Sequence, residues 1–208
     1  MDKKIDNLIK KWEKSNIPGL YARDKDEAAN KILEIIPVSG SVGFSGSVTL
    51  EQLDIVKRLD GRGNKVFNPY KAGISREESL AVRRQGIAAD YYLASPNAIS
   101  EKGELVFFSA YGNRTAGISF AKNVIIAAGI NKITPDIQSA LKRAREYVTP
   151  LNCQRLKWNS LCFEDGICRE ELCLFPEYKR MCCQVLIIEA EVTPDRLKVI
   201  LIGENLGF

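Results

Sequence analysis

The sequence contains no histidine. Histidine general-base chemistry and Ser-His or Cys-His nucleophile pairs are thereby excluded, so any catalysis rests on Asp, Glu, Lys, Tyr or a cofactor. A metal, likewise, would be held by sulfur or oxygen alone. Long apolar runs are missing too, and nothing approaches the length of a membrane-spanning helix. The opening segment Met1-Asp2-Lys3-Lys4-Ile5-Asp6 is charged and lacks the apolar stretch of a secretory signal. A soluble, cytoplasmic protein without membrane association is the expectation. Repeats and low-complexity linkers are absent, and 208 residues suit one domain with a full core. Lys and Arg total 30 against 26 Asp and Glu, a net charge of +4. Basic groups such as Lys142, Arg143 and Arg145, or Arg83 and Arg84, read as solvated helix faces, and no stripe dense enough for nucleic acid is present.

What the chain does have is a thiol cluster. All six cysteines, Cys153, Cys162, Cys168, Cys173, Cys182 and Cys183, fall within one 31-residue stretch. Disulfides would need an oxidising compartment, for which nothing speaks. Separately buried thiols suit Cys153 and one of the adjacent Cys182 and Cys183. The remaining four are expected to bind a metal, with Gly166 turning the backbone between Cys162 and Cys168.

Along the chain, Ile5, Leu8, Ile9 and Trp12 form one helical face, stopped at Pro18-Gly19. Asp24 or Asp26 caps a second helix carrying Ala29, Ile32, Leu33 and Ile36. Residues 1–37 thus read as a helical layer on an α/β domain spanning 38–208. In that domain, strands are expected at 41–44, 64–67, 91–94, 105–108 and 124–128. Helices alternate with them. Capping-box spacing occurs at Thr49/Gln52 and Ser75/Glu78, and Thr134-Pro135-Asp136 opens a helix running to about Tyr147. After the cysteine excursion (153–183), 185–190 and 197–202 read as a terminal strand pair across Thr193-Pro194-Asp195. The alternation implies a mostly parallel sheet flanked by helices.

Ligands of such sheets gather beyond the C-terminal strand ends. The first end, Ser45-Gly46-Ser47-Val48-Thr49, is small and hydroxyl-rich, and feeds a helix start that favours an anion. Asp90 and Ser95-Pro96-Asn97 flank the next strand. Asn113 and Arg114 follow another, where Arg114 can grip a carboxylate or phosphate at two points. Lys132 adds a cation near the same rim. Asp90 is read as a possible base, and Glu204, past the final strand, as a lesser candidate.

These segments carry a resemblance. Ala89-Asp90, Ser95-Pro96-Asn97-Ala98-Ile99, Gly103-Glu104-Leu105-Val106, Gly112-Asn113-Arg114, Gly129-Ile130-Asn131-Lys132 and Leu206-Gly207-Phe208 resemble, in order, the LUD domain family of LutC/YkgG-like lactate utilization proteins. The resemblance covers about 38–208. It implies a NagB/RpiA/CoA-transferase-like fold, in which the loop after the first strand binds phosphate or CoA-like anions. This strengthens Ser45, Gly46, Ser47 and Thr49 as ligand-binding residues, with Asn97, Asn113 and Lys132 beside them. It places Asp90 and Arg114 as catalytic candidates. The family's cysteine pattern selects Cys162, Cys168, Cys173 and Cys182 for zinc or an iron–sulfur cluster, although the spacing around Cys173 departs from it. The implied role is an accessory or redox-partner component of lactate or other 2-hydroxy acid oxidation, alongside iron–sulfur partners. The alternatives are an isomerase or acyl/CoA-transferase-like enzyme, and a non-catalytic binder of a small anionic metabolite. Oligomers are compatible with each.

Overall fold

The structure, a computed structural model, describes residues 3–208. Helix α1 (Lys3–Lys14) buries Ile5, Leu8 and Trp12, as their spacing requires. Next comes β1 (Gly19–Ala22), a strand missing from the expectation of a purely helical layer; four residues are too few to show alternation. Asp24 caps α2 (Lys25–Ile35) by accepting from the Glu27 amide at 2.8 Å. Then follow β2 (Val42–Phe44), α3 (Val48–Gln52), α4 (Ile55–Gly61), β3 (Val66–Phe67), α5 (Arg76–Ile87) and β4 (Tyr91–Ala94). The Ser75/Glu78 capping box forms in full on α5. On α3 the cap is Ser47, accepting from the Leu50 amide at 3.3 Å. Thr49, expected to cap, instead turns inward and is fully buried.

Strands β5 (Ala98–Ser100) and β6 (Leu105–Ser109) form a hairpin, followed by α6 (Asn113–Phe120), β7 (Val124–Gly129) and β8 (Ile133–Thr134). Asp136 rather than Thr134 caps α7 (Ile137–Lys142), accepting from the Ser139 amide at 2.7 Å. The expected end near Tyr147 is corrected as well. Helical backbone continues through a π turn (Arg143–Val148) into α8 (Thr149–Arg155). Pro150 explains the π turn: it lacks an amide, and its ring would clash with the carbonyl one α-turn back. Widening the turn lets the Thr149 amide and hydroxyl both donate to the Ala144 carbonyl. The cysteine segment holds the short α9 (Cys162–Asp165) and a 3-10 turn (Glu170–Leu172) before β9 (Gln184–Ile188) and β10 (Leu197–Ile202).

Six strands, in the order β1-β10-β7-β4-β2-β3, form one sheet in which every pairing is parallel. The second sheet runs β8-β5-β6-β9. The last two strands therefore do not pair. Strand β9 lies antiparallel to β6 in the small sheet, and β10 sits between β1 and β7 in the large one. Burial on both faces accounts for the continuous apolar runs. From β7, Val124, Ile126 and Ala128 join Trp12 and Phe107 on one face, while Ile125 and Ala127 join Ile32 and Leu59 on the other. Each fully buried Ile or Leu stabilises the fold by about 1.5–3 kcal/mol.

Helix α5 lies directly on β2 through two glycines. A Cβ on Gly43 would sit 2.0 Å from the Gly86 carbonyl oxygen, whereas one on Gly86 would meet nothing nearer than 3.3 Å. Gly43→Ala should lower stability by about 1–3 kcal/mol through overpacking, and Gly86→Ala should cost less. Urea unfolding midpoints check the order; equal effects would mean that the helix shifts freely on the strand.

Candidate functional site

Chain direction reverses between β2 and β4. From β2 the chain steps outward to β3, and from β4 the order runs the other way through β7 to β10. Such a switch point opens a crevice beyond the carboxyl ends of the strands. The loops that reach it are 45–47 after β2, 95–97 after β4 and 130–132 after β7.

Lys132 ties these loops together. Its ammonium donates to Thr49 Oγ1 at 2.9 Å, Ser95 Oγ at 2.8 Å and the Pro96 carbonyl at 3.1 Å. Arg143, from the π turn, donates to the carbonyls of Asn97 (2.7 Å) and Asn131 (3.1 Å). Arg114, on the first turn of α6, donates to Asn97 Oδ1, the Phe108 carbonyl and the Gly46 carbonyl. All three cations thus face carbonyls and hydroxyls, and no salt bridge to a carboxylate is formed by any of them among the described residues. Burial depresses each basic group. For Lys132, burial first, then Arg143 and Arg114, bring it down to about 7.

Residues 206 and 207 close one side. The Leu206 carbonyl accepts from Thr49 Oγ1 and its amide donates to Asn131 Oδ1, while the Gly207 amide donates to Gln52. Between this tail and the loops lies a small polar pocket of about 40 Å³, lined by Ser47, Thr49, Ser95, Asn97, Arg114 and Lys132 among others. It adjoins a cleft of about 430 Å³, with Gly46, Asn97, Arg114 and Asn152 common to both walls. Ser45 lines that cleft, is 2% exposed, and is the one buried side-chain polar atom left without a partner among the described residues. The adjoining Tyr92 hydroxyl, pushed up to about 12 by burial, donates instead to the Asn113 carbonyl at 3.0 Å.

Ser45, Gly46, Ser47, Thr49, Asn97, Asn113, Arg114 and Lys132 are therefore gathered at one rim. The expected helix-dipole attraction falls away, because α3 has only five residues. Asp90 is not at the rim. It precedes β4, on the opposite edge of the sheet, where its carboxylate accepts from the Ser41 amide (3.0 Å) and hydroxyl (2.7 Å). Those bonds hold it below the usual carboxylate range and make it a tie between strand starts. Glu204 is occupied too, accepting from the Lys25 amide at 3.0 Å. Arg143 corrects the solvated-face reading of its helix. Two further cleft residues, Trp158 and Met181, come from the cysteine excursion, and no local signal in the sequence directs them there.

The thiols are all free. Cys162 Sγ lies 3.3 Å from Ser160 Oγ, and Cys153 Sγ lies 3.8 Å from Met181 Sδ. Contact between Cys153 and Cys162 holds Cys162 down and, with burial, pushes Cys153 up. Cys182 takes a 3.3 Å contact from Arg180 Nε, and Cys183 donates to the Arg180 carbonyl. Among the described residues no three Cys, Asp or Glu side chains are grouped to hold a metal ion. The set Cys162, Cys168, Cys173 and Cys182 does not fit zinc or an iron–sulfur cluster in this arrangement.

Two expectations follow from these groups. Protein prepared without oxygen should carry well under one equivalent of zinc or iron by elemental analysis; a full equivalent would mean that the segment regroups around metal. Unfolding returns Lys132 to its ordinary 10.5, so between about pH 7 and 10.5 the unfolded chain binds the extra proton and stability rises with pH. Wild type should gain stability relative to Lys132→Met across that range in urea titrations. Parallel curves would show that Lys132 keeps its proton.

No curated protein matches the sequence. The crystal structure of a DUF162 family protein from Deinococcus radiodurans is similar in fold, with a TM-score of 0.51 and 11% identity over 96% of this chain and 94% of that one. A family model described as the LUD domain matches residues 5–202. Among the described residues no helix is long and apolar enough to cross a membrane. The motif series from Ala89 to Phe208, the parallel sheet with its switch-point crevice, and a match along nearly the whole sequence agree: the chain belongs to the LUD domain family.

Proposed function

We propose that the protein serves the oxidation of lactate or a related 2-hydroxy acid as an accessory or redox-partner component, and binds the carboxylate or phosphate of a small metabolite in the cleft. One observation carries the binding reading: Lys132 and Arg114 line one pocket, Arg143 backs it through the Asn97 carbonyl, and none of the three is paired with an acid. Burying positive charge without a counter-charge is costly, and an entering anion supplies that charge. Ser45 Oγ, without a partner, offers a further hydrogen bond. Membership of the LUD domain family supports the metabolic setting and, with it, iron–sulfur lactate oxidation proteins as partners.

Isomerase or transferase chemistry built on a carboxylate would need one free in the cleft. Asp90 is remote from it, and the Glu51 lining it pairs with Arg155 at 3.5 Å. Binding is therefore favoured over catalysis by Asp90. Zinc or an iron–sulfur cluster would give the cysteine segment an electron-transfer or stapling role. The thiol arrangement does not support it, so no step is routed through a metal.

Calorimetric titration with lactate, pyruvate and inorganic phosphate tests the anion seat. Arg114→Gln should weaken binding about tenfold or more, the scale of a lost charge-assisted hydrogen bond, and Asp90→Asn should leave it unchanged. Affinity should fall as pH rises above about 7, where Lys132 loses its proton. Equal binding by wild type and Arg114→Gln would remove the seat from this pocket.

A further inference from the structure

The cleft is larger than a 2-hydroxy acid needs. At about 430 Å³ it falls in the range of sites for cofactor-sized ligands. It adjoins the Lys132 pocket, and Gly46, Asn97, Arg114 and Asn152 form the wall common to both, so a ligand reaching both cavities passes the Arg114 side chain. Away from the cations its wall becomes aromatic. Tyr111 and Trp158 meet edge to face with ring centroids 5.7 Å apart, and Tyr111 is 49% exposed. Trp158 is held in place because its indole N–H donates to the Lys179 carbonyl. Tyr70 lines the same cleft, with the Arg83 guanidinium 4.7 Å from its ring centre. Ser109, Asn113 and Asn152 add neutral hydrogen-bonding groups, and the paired Glu51 and Arg155 also line the cleft. Open aromatic faces beside a cationic seat suit a ligand that is flat at one end and anionic at the other.

We propose that the cleft is a nucleotide site, with phosphate on the Lys132–Arg114 seat and the base stacked against Tyr111 and Trp158. The proposal rests on the anion-binding reading for its phosphate end and adds the ring end independently. Ser109, Asn113 and Asn152 suit the hydroxyls of a ribose. The excursion that carries the cysteines thereby becomes part of the binding site, because Trp158 and Met181 belong to it.

Adenosine 5′-monophosphate, adenosine and inorganic phosphate serve as probes on the intact protein. Trp12 is 1% exposed and donates to the Gly103 carbonyl at 2.8 Å, so a ligand-dependent change in tryptophan emission reports Trp158. Emission should change saturably with the monophosphate, phosphate should compete, and adenosine should bind more weakly. By calorimetry, Trp158→Ala should weaken the monophosphate about tenfold, the scale of one lost ring stack, and leave inorganic phosphate unchanged. Trp158→Phe, which keeps a ring, should recover most of the loss and guards against misfolding of the alanine variant. Phosphate binding with no preference for the monophosphate, or equal affinities in wild type and Trp158→Ala, overturns the ring site while the anion seat stands. Binding of neither phosphate nor monophosphate overturns both.

Discussion

The Lys132 ammonium is the contact on which the site depends. It stands in the turn after β7 and bonds the helix that follows β2 through Thr49 and the loop that follows β4 through Ser95 and Pro96. Three loops that share no local sequence are thereby fixed around one charge. Arg114 and Arg143 extend the arrangement, both gripping Asn97, one by its side chain and the other by its carbonyl. Thr49 Oγ1 accepts from the ammonium and donates a hydrogen bond to the Leu206 carbonyl, so the tail is held through the same centre.

Such a centre opposes folding. Three basic groups leave water for hydrogen bonds with neutral partners, which satisfy their donors but not their charge. The two-faced core pays for this, through strands such as β7 and β10 that are apolar on both sides. Strain of this electrostatic kind is typical of functional sites. It also explains why a lysine sits here: an ammonium can lower its cost by losing a proton, which a guanidinium cannot.

Local features were legible in the sequence. The Ser75/Glu78 box, the Asp24 cap and the Ile5–Leu8–Trp12 face each involve neighbours a turn apart, and each formed. The rim residues were also recognisable, because small and polar groups after apolar strands have few other uses. Long-range relations were not legible. Arg143 looks solvated until the π turn aims it at Asn97 and Asn131, and that turn depends on Pro150 further along. Asp90 was assigned to the rim by grouping it with residues 95–97, although it precedes Tyr91–Ala94 and so lies at the amino end of that strand. Strands β9 and β10 looked paired because only a short turn separates them, yet they enter different sheets. For the cysteines, closeness in sequence brings Cys153 against Cys162 but groups no three potential ligands among the described residues.

The position of β10 bears on how the chain is made. Gly19 of β1 pairs with Val199, and on its other side β10 covers β7 from Val124 to Gly129. A strand translated near the beginning therefore has no partner until one translated near the end is inserted between it and the rest of the sheet. The sheet cannot close until residues 197–202 have been made. Helices α1 and α2 have other partners, at Gly103 and at Arg62, but β1 and the facing edge of β7 wait for residues 197–202. Contacts of such sequence separation close slowly, and during that interval the apolar face of β7 is the natural surface for a chaperone to shield.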